Sequence, residues 1–140
     1  MASETGLKFP ELTERIIGIF YDVYNELGYG FLESVYEESL VLALREASLR
    51  VGRQVPIPGH RVSEFRADVL VEERVLLELK CSRVLEQSHE AQLLHYLKAT
   101  EIEVGLLLNF GTRPQFRRLV FDNERKKIRD NSRRSVAKVS

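Results

Sequence analysis

Residues 66–80 decide the fold and read Arg66-Ala67-Asp68-Val69-Leu70-Val71-Glu72-Glu73-Arg74-Val75-Leu76-Leu77-Glu78-Leu79-Lys80. Two apolar runs flank the polar residues 72–74, a pattern that predicts two β-strands joined as a hairpin. A three-residue loop over 72–74 places Asp68 directly opposite Glu78. A two-residue loop would shift the register by one and send Asp68 to the other face, so the predicted site depends on this turn.

The hairpin carries the chemistry of interest. Side chains alternate along a strand, so Glu78 and Lys80 share one face, which Asp68 joins in the three-residue register. Facing carboxylates repel unless a cation lies between them, and Mg²⁺ suits a site with few carboxylates that substrate phosphate completes. Lys80 could then orient an attacking water or stabilise the transition state. The alternative is a surface hairpin in which Lys80 forms a salt bridge with Glu78 or Asp68.

The remaining elements follow from hydrophobic periodicity and from glycine and proline positions. The predictions are helices over residues 12–27 and from 31 to before 52, an extended edge segment at 54–58, a helix over 88–100 with Ser88 as a plausible N-cap, a doubly buried strand at 104–108 and a final strand at 116–121. The order α-α-β-β-β-α-β-β predicts an α/β fold, with a mixed sheet flanked by helices and a crossover helix after the hairpin.

The amino-acid composition favours a globular protein and argues against several other classes. The 140 residues are 44% hydrophobic and 30% charged, which fits one globular domain. The 21 basic and 21 acidic residues balance, so a strongly basic field is excluded. We expect a cytoplasmic protein with no membrane partner, because apolar runs are short and the N-terminus has no apolar signal-peptide core. Cys81 is the single cysteine and the three histidines are scattered, which disfavours an internal disulfide or structural zinc.

The charge is nevertheless unevenly distributed. Residues 123–140 hold seven basic and two acidic residues, a balance of 7 − 2 = +5. We therefore predict one domain over residues 1–122, followed by a basic C-terminal tail at 123–140. The tail is either a phosphate-binding arm or a solvated, disordered end.

Several motifs occur together and in one order along the chain. They are Gly30-Phe31-Leu32-Glu33-Ser34-Val35-Tyr36, Arg53-Gln54-Val55-Pro56, Phe65-Arg66-Ala67-Asp68, Glu78-Leu79-Lys80, His89-Glu90-Ala91-Gln92-Leu93-Leu94, Tyr96-Leu97-Lys98-Ala99-Thr100 and Leu107-Leu108-Asn109-Phe110-Gly111. The set resembles the GxxExxY proteins, a family of the PD-(D/E)xK nuclease superfamily. The resemblance implies a restriction-endonuclease-like fold, a mixed central β-sheet flanked by α-helices.

The resemblance also implies roles for particular residues. Asp68 and Glu78 would bind the metal with the Leu79 backbone carbonyl, and Lys80 would be the catalytic lysine. Glu33 would complete the metal site from the second helix. A surface glutamate favoured by the helix dipole is the alternative for Glu33.

Three further residues belong to the implied substrate side of the site. Gln92 and Tyr96, four apart on one helix face, would contact substrate or the lysine, and Tyr36 would contribute from the second helix. A tyrosine at the edge of the core with a satisfied hydroxyl is the alternative for Tyr96.

Two functions compete at this stage. The first is a Mg²⁺-dependent nuclease, with Mn²⁺ as a substitute, that hydrolyses phosphodiester bonds in nucleic acid, with DNA as the expected substrate. The second is a non-catalytic regulatory module that keeps the nuclease fold and binds nucleic acid or protein. The sequence does not determine whether the substrate is DNA or RNA, whether it is single- or double-stranded, or whether cleavage is internal or from an end. A homodimer would suit the cutting of two strands.

Overall fold

The computed structural model describes residues 8–56 and 66–126, which form eight elements in the predicted order. They are α1 (Pro10–Leu27), α2 (Glu33–Glu46), β1 (Val51–Pro56), β2 (Arg66–Val71), β3 (Val75–Lys80), α3 (Gln87–Ala99), β4 (Val104–Phe110) and β5 (Pro114–Val120). The edge strand β1 begins three residues before the predicted segment, and the predicted positions 57 and 58 lie outside the described residues.

The five strands form one mixed sheet in the order β1-β2-β3-β4-β5. Neighbouring strands are antiparallel except for β3 and β4, which are parallel and are connected by α3. A parallel pair needs such a crossover, and helix α3 supplies it. The predicted α/β fold of the restriction-endonuclease-like type is confirmed.

Helices cover both faces of the sheet and make three layers. Helices α1 and α2 pack on one face around Phe20, Tyr36 and Leu40, and α3 packs on the other through Leu93 and Leu97. Burial from both sides explains why every residue of β4 is buried, as its continuous apolar sequence predicted.

The hairpin has the register on which the predicted site depends. Val71 pairs with Val75 and Val69 with Leu77 across a three-residue turn. Continuing this register by one step sets Asp68 beside Glu78. The turn requires left-handed backbone at Glu72 (φ 53°) and Glu73 (φ 56°), and the Glu72 carboxylate accepts a hydrogen bond from the backbone N–H of Arg50 at 2.6 Å.

Helix α3 begins one residue earlier than predicted. Glu86, not Ser88, is its N-cap, so the predicted cap was wrong. The backbone N–H of Glu86 donates to Nδ1 of His89 at 3.2 Å, which stabilises this start and leaves Ser88 within the first turn.

The first residues of the predicted basic tail pack against the domain. Residues 123–126 form a helical turn, in which Lys126 Nζ donates to the backbone carbonyls of Thr100 and Ile102, each at 2.8 Å. The Arg125 guanidinium lies 4.7 Å from the centre of the Phe121 ring. The rest of the predicted tail, residues 127–140, lies outside the described residues.

Within residues 8–56 and 66–126, none of the helices has the length and apolar character needed to cross a lipid bilayer.

Candidate active site

Asp68 is held at the end of the hairpin by the backbone of the opposite strand. The N–H of Leu79 donates to Asp68 Oδ2 at 2.8 Å. Asp68 is half-buried, whereas Glu78 is 3% exposed. The structure therefore brings the two predicted carboxylates together on one sheet face.

Glu78 is a buried carboxylate beside Asp68, with which it is hydrogen-bonded. Its Oε1 is buried and has no hydrogen-bond partner among the described residues. Burial, and then the neighbouring Asp68, raise the pKa of Glu78 to about 8, while Lys80 opposes the shift. A buried acceptor without a partner is costly, and a bound cation would remove the cost. The donor set fits a hard divalent ion, because its carboxylates offer oxygen ligands.

Lys80, Gln92 and Tyr96 form a chain of hydrogen bonds beside the carboxylates. Lys80 Nζ donates to Gln92 Oε1 at 3.4 Å, and Gln92 Nε2 donates to the Tyr96 hydroxyl at 3.0 Å. Burial, followed by Glu78 and Asp68, raises the pKa of Tyr96, while its bond to Gln92 opposes the shift. Within the described part of the chain Lys80 bonds to Gln92 and forms no salt bridge with either carboxylate, unlike the alternative that the sequence left open.

Glu33 is the first residue of α2 and approaches the same group of charges. The residue is exposed overall, as the surface-glutamate alternative expects, and partial desolvation of its carboxylate raises its pKa, with further increases from Asp68 and Glu37 and an opposing effect of Lys80. Among residues 8–56 and 66–126, however, no three His, Cys, Asp or Glu side chains are grouped so as to hold a metal ion. Glu33 is thus an electrostatic neighbour of Asp68 and Glu78, without forming a three-carboxylate cluster with them.

Tyr36 lies in the core, beneath the turn between α1 and α2. It is fully buried, and its ring stacks on Phe110 with centroids 4.4 Å apart. Its hydroxyl donates to the carbonyl of Gly28 at 2.5 Å and accepts from the N–H of Phe31 at 3.3 Å. The expected substrate contact is therefore corrected: Tyr36 holds the turn between α1 and α2, because its hydroxyl is committed to that backbone.

Asn109 is a residue of this region that sequence reasoning did not single out. It is fully buried at the end of β4, where Oδ1 accepts from the N–H of Ser82 at 2.9 Å and Nδ2 donates to the Ser82 carbonyl at 2.8 Å. Its register partner is Lys80. Asn109 thus fixes the chain that follows the lysine, and the available signal was one amide in an otherwise apolar strand.

A mixed sheet whose central hairpin presents an aspartate, a glutamate and a lysine on one face defines a nuclease-like α/β domain. The comparison with protein families agrees: the chain matches the family model described as PD-(D/E)XK nuclease superfamily over residues 10–119. The chain belongs to this superfamily. Nucleases of this superfamily generally use divalent metals.

Solved structures with a similar arrangement include the crystal structure of SSO0001, at 21% identity and a TM-score of 0.46 over 66% of this chain and 52% of that one. This chain therefore spans about half the length of that protein. Another is an alkaline exonuclease (LHK-Exo) from Laribacter hongkongensis, at 13% identity and a TM-score of 0.36 over 71% of this chain and 69% of that one. The search of curated proteins gave no match.

Proposed function

We propose that this protein is a metal-dependent nuclease of the GxxExxY family that hydrolyses phosphodiester bonds in DNA. The observation that carries the proposal is the buried Glu78 Oε1, which has no hydrogen-bond partner among the described residues and belongs to a side chain beside Asp68 and Lys80. Such a charge arrangement is unfavourable unless a cation completes it.

The ligands of the proposed metal are Asp68, Glu78 and the backbone carbonyl of Leu79, and the ion is Mg²⁺, for which Mn²⁺ can substitute. When bound, the ion lowers the pKa of a coordinated water and neutralises charge on the phosphate. The Leu79 N–H bond to Asp68 Oδ2 orients this carboxylate before any ligand arrives, which reduces the reorganisation that binding requires.

Lys80 supplies the positive charge of the reaction. Its ammonium can orient the attacking water or stabilise the negative charge that develops on the phosphate oxygens. Gln92 holds Nζ from the α3 side, and Tyr96 in turn holds Gln92. In this proposal Gln92 and Tyr96 line the substrate side and fix the direction of the lysine.

Glu33 has a secondary role in the proposal. Burial and then the nearby Asp68 raise its pKa, and it lies at the start of α2, where it can join the ion's coordination shell through water. Tyr36, by contrast, contributes to the fold of the preceding turn.

The proposal includes a cellular location and an oligomeric state that suit cleavage of DNA. A cytoplasmic protein would meet DNA directly, and a homodimer would present two such sites to the two strands of a duplex. Sedimentation of the full chain with and without duplex DNA measures this state, and a monomer under both conditions would contradict the dimer.

The decisive experiment is a cleavage assay on labelled DNA and RNA strands and duplexes with Mg²⁺, Mn²⁺ or EDTA. Wild type is compared with Lys80→Ala and with Lys98→Ala, which removes an exposed lysine of α3 away from the carboxylates. We expect metal-dependent cleavage of DNA that Lys80→Ala loses and Lys98→Ala retains. If wild type cleaves nothing above the level of Lys80→Ala, the protein is instead the non-catalytic binding module.

A further inference from the structure

A cavity of about 320 Å³ opens where the chain leaves β3, one residue beyond Lys80, and the carboxylates of the candidate active site do not line it. Its walls are residues 29–31 of the α1–α2 turn, residues 81–83 directly after β3, and residues 110–112 at the end of β4 and the start of the β4–β5 turn. Because β3 and β4 are parallel, their carboxyl ends meet at this edge, the place where open α/β sheets bind ligands. Cys81 of the wall directly follows Lys80.

The cavity is bordered by exposed apolar side chains. Tyr29 and Phe31, which line it, are 66% and 47% exposed, and Leu32 and Val84 adjoin the lining residues and are also exposed. Among the described residues Leu42 is the large exposed hydrophobic that lies elsewhere. Clustered exposure of this kind marks a binding surface.

The turn that carries the two aromatic rings is anchored from the core. The Tyr36 hydroxyl bonds to the backbone of both Gly28 and Phe31, and the Phe31 ring packs edge-on against Tyr36 at 5.9 Å. Gly30 has φ 106°, a conformation that a residue with a side chain rarely adopts. The G-x-x-E-x-x-Y motif thus shapes one wall of the cavity with its glycine and tyrosine, while its glutamate approaches the carboxylates.

The opposite wall is also anchored by buried polar groups. Asn109 bonds to both the N–H and the carbonyl of Ser82, and the Tyr24 hydroxyl donates to the carbonyl of Gly111 at 2.7 Å. Gly111 approaches Ser82 so closely that an added Cβ would lie 2.3 Å from the Ser82 carbonyl oxygen. Both walls are therefore held in place before a ligand binds, which lowers the entropic cost of binding.

One arginine of the cavity can contact an anionic group. Arg83 is the charged side chain among the described lining residues, and none of those residues is acidic. Exposed aromatic rings beside an arginine are the combination that binds single-stranded nucleic acid, because rings stack on bases and the guanidinium contacts phosphate. Bases inside a duplex already stack on one another and offer no free face.

We propose that this cavity binds an unpaired nucleotide next to the scissile phosphate, so that the substrate is single-stranded or frayed DNA. Tyr29 and Phe31 stack on its base, and Arg83 contacts the adjoining phosphate. The inference rests on the proposed function for the position of the scissile phosphate and deepens it by naming the substrate class.

Fluorescence anisotropy of labelled strands in EDTA tests the cavity without cleavage. The probes are an oligothymidylate, an abasic strand of equal length and charge, and a blunt duplex. Wild type should bind the oligothymidylate at least about fivefold more tightly than the abasic strand, the smallest effect expected of one stacked base. Tyr29→Ala should lose this difference, whereas Tyr29→Phe, which keeps the ring, and Leu42→Ala, which removes an exposed apolar group elsewhere, should retain it.

Salt dependence separates stacking from phosphate contact. Arg83→Ala should reduce the slope of log K against log salt by about 0.7, the value for one phosphate contact on a single strand, whereas Tyr29→Ala should leave the slope unchanged. Thermal unfolding of Tyr29→Ala should match wild type, because the side chain is largely exposed.

Equal binding of the oligothymidylate and the abasic strand by wild type, or an unchanged preference in Tyr29→Ala, would overturn the inference. Mg²⁺-dependent cleavage is measured separately on the same strands. Cleavage without a base preference would contradict the proposed nucleotide-binding cavity but support the nuclease activity. Base-dependent binding without cleavage would support the cavity but contradict the nuclease activity. Tighter binding of the blunt duplex than of the single strand would also reject the cavity.

Discussion

The backbone N–H of Leu79 and the side chain of Asp68 form a hydrogen bond of 2.8 Å across the central hairpin. A carboxylate accepts several bonds, so this contact orients Asp68 while leaving acceptor capacity for a cation. The neighbouring Glu78 is more deeply buried, and its Oε1 has no hydrogen-bond partner among the described residues. The two carboxylates thus differ in environment, because Asp68 is half-buried and Glu78 is buried with one oxygen unpartnered, and the predictions for the site depend on that difference.

The first prediction concerns metal binding. Calorimetric titration of the full chain with Mn²⁺ should show a site that Asp68→Asn and Glu78→Gln each weaken by at least about tenfold, since each removes a charged ligand. Asp22→Asn, an exposed carboxylate of α1, is the matched control and should bind as wild type does.

Proton release gives this titration a second readout. The pKa of Glu78 is about 8, so near pH 7 the carboxyl is mostly protonated and must lose its proton to bind the ion. The apparent binding enthalpy should therefore vary with the ionisation enthalpy of the buffer in wild type. Equal Mn²⁺ binding by wild type, Asp68→Asn and Glu78→Gln would reject the assigned ligands.

The second prediction is the pH dependence of stability in EDTA. With a pKa of 4.5 in the unfolded chain and about 8 in the fold, Glu78 holds a proton in the native state where the unfolded state has lost it. Stability falls with rising pH when the native state binds more protons. The contribution of Glu78 to the free energy of unfolding is thus full below about pH 4.5 and is lost as pH rises towards 8.

Glu78→Gln isolates that contribution. The neutral amide cannot carry the buried negative charge, so it should raise the free energy of unfolding near pH 8 by about 1–3 kcal/mol and should flatten the dependence between pH 4.5 and 8. Urea unfolding at several pH values measures both effects. A parallel pH dependence in wild type and Glu78→Gln would show that Glu78 is not the group responsible.

The third prediction concerns the close approach of the β4–β5 turn to the chain after β3. An added Cβ at Gly111 would lie 2.3 Å from the Ser82 carbonyl oxygen and 3.0 Å from the Asn109 amide nitrogen. Gly111→Ala should therefore cost about 1–3 kcal/mol, because backbone must move to relieve the overlap.

Gly18→Ala is the matched control for this substitution. Gly18 lies within α1 with nothing within 4 Å of an added Cβ, so the same change should stabilise the protein by about 0.5–1 kcal/mol through helix propensity. Thermal or urea unfolding compares the two. Equal effects of the two variants would mean that the Ser82 contact does not constrain this turn.

The hairpin could be predicted from sequence because local rules determine it. Strand alternation and a three-residue turn suffice to bring Asp68, Glu78 and Lys80 to one face, and the apolar run of β4 identifies a strand buried on both sides. The resemblance to similar nucleases placed Gln92 near substrate or Lys80, and the structure joins Gln92 and Lys80 at 3.4 Å.

Contacts between residues far apart in the chain could not be predicted from the sequence. The role of Tyr36 depends on the hydrogen bonds of its hydroxyl to the backbone of Gly28 and Phe31, and helical spacing does not predict those partners. The bond between Asn109 and Ser82 joins residues 27 positions apart, so no local pattern indicates it. The cap of α3 was misplaced because Ser88 has a favoured residue type, whereas His89 and Glu86 form the actual contact.

The last prediction separates the two parts of the basic C-terminus. Truncation after Lys126 removes residues 127–140, which hold five basic residues and one acidic residue, and should weaken DNA binding mainly at low salt. It should leave the melting temperature unchanged, because the helical turn at 123–126 is retained.

Truncation after Asp122 also removes Lys126, whose ammonium bonds to the carbonyls of Thr100 and Ile102, and Arg125, which stacks on Phe121. Hydrogen bonds to charged groups contribute about 1.5–3 kcal/mol each, so this shorter protein should be clearly less stable than the one ending at Lys126. Circular dichroism melts and salt-dependent anisotropy with duplex DNA compare the two truncations with the full chain. If both truncated proteins have the same melting temperature as the full chain, the turn at 123–126 adds no stability. If the protein ending at Lys126 unfolds, residues 127–140 are structural and the expectation of a separate basic tail is wrong, because a segment that supplies only phosphate contacts cannot be needed for folding.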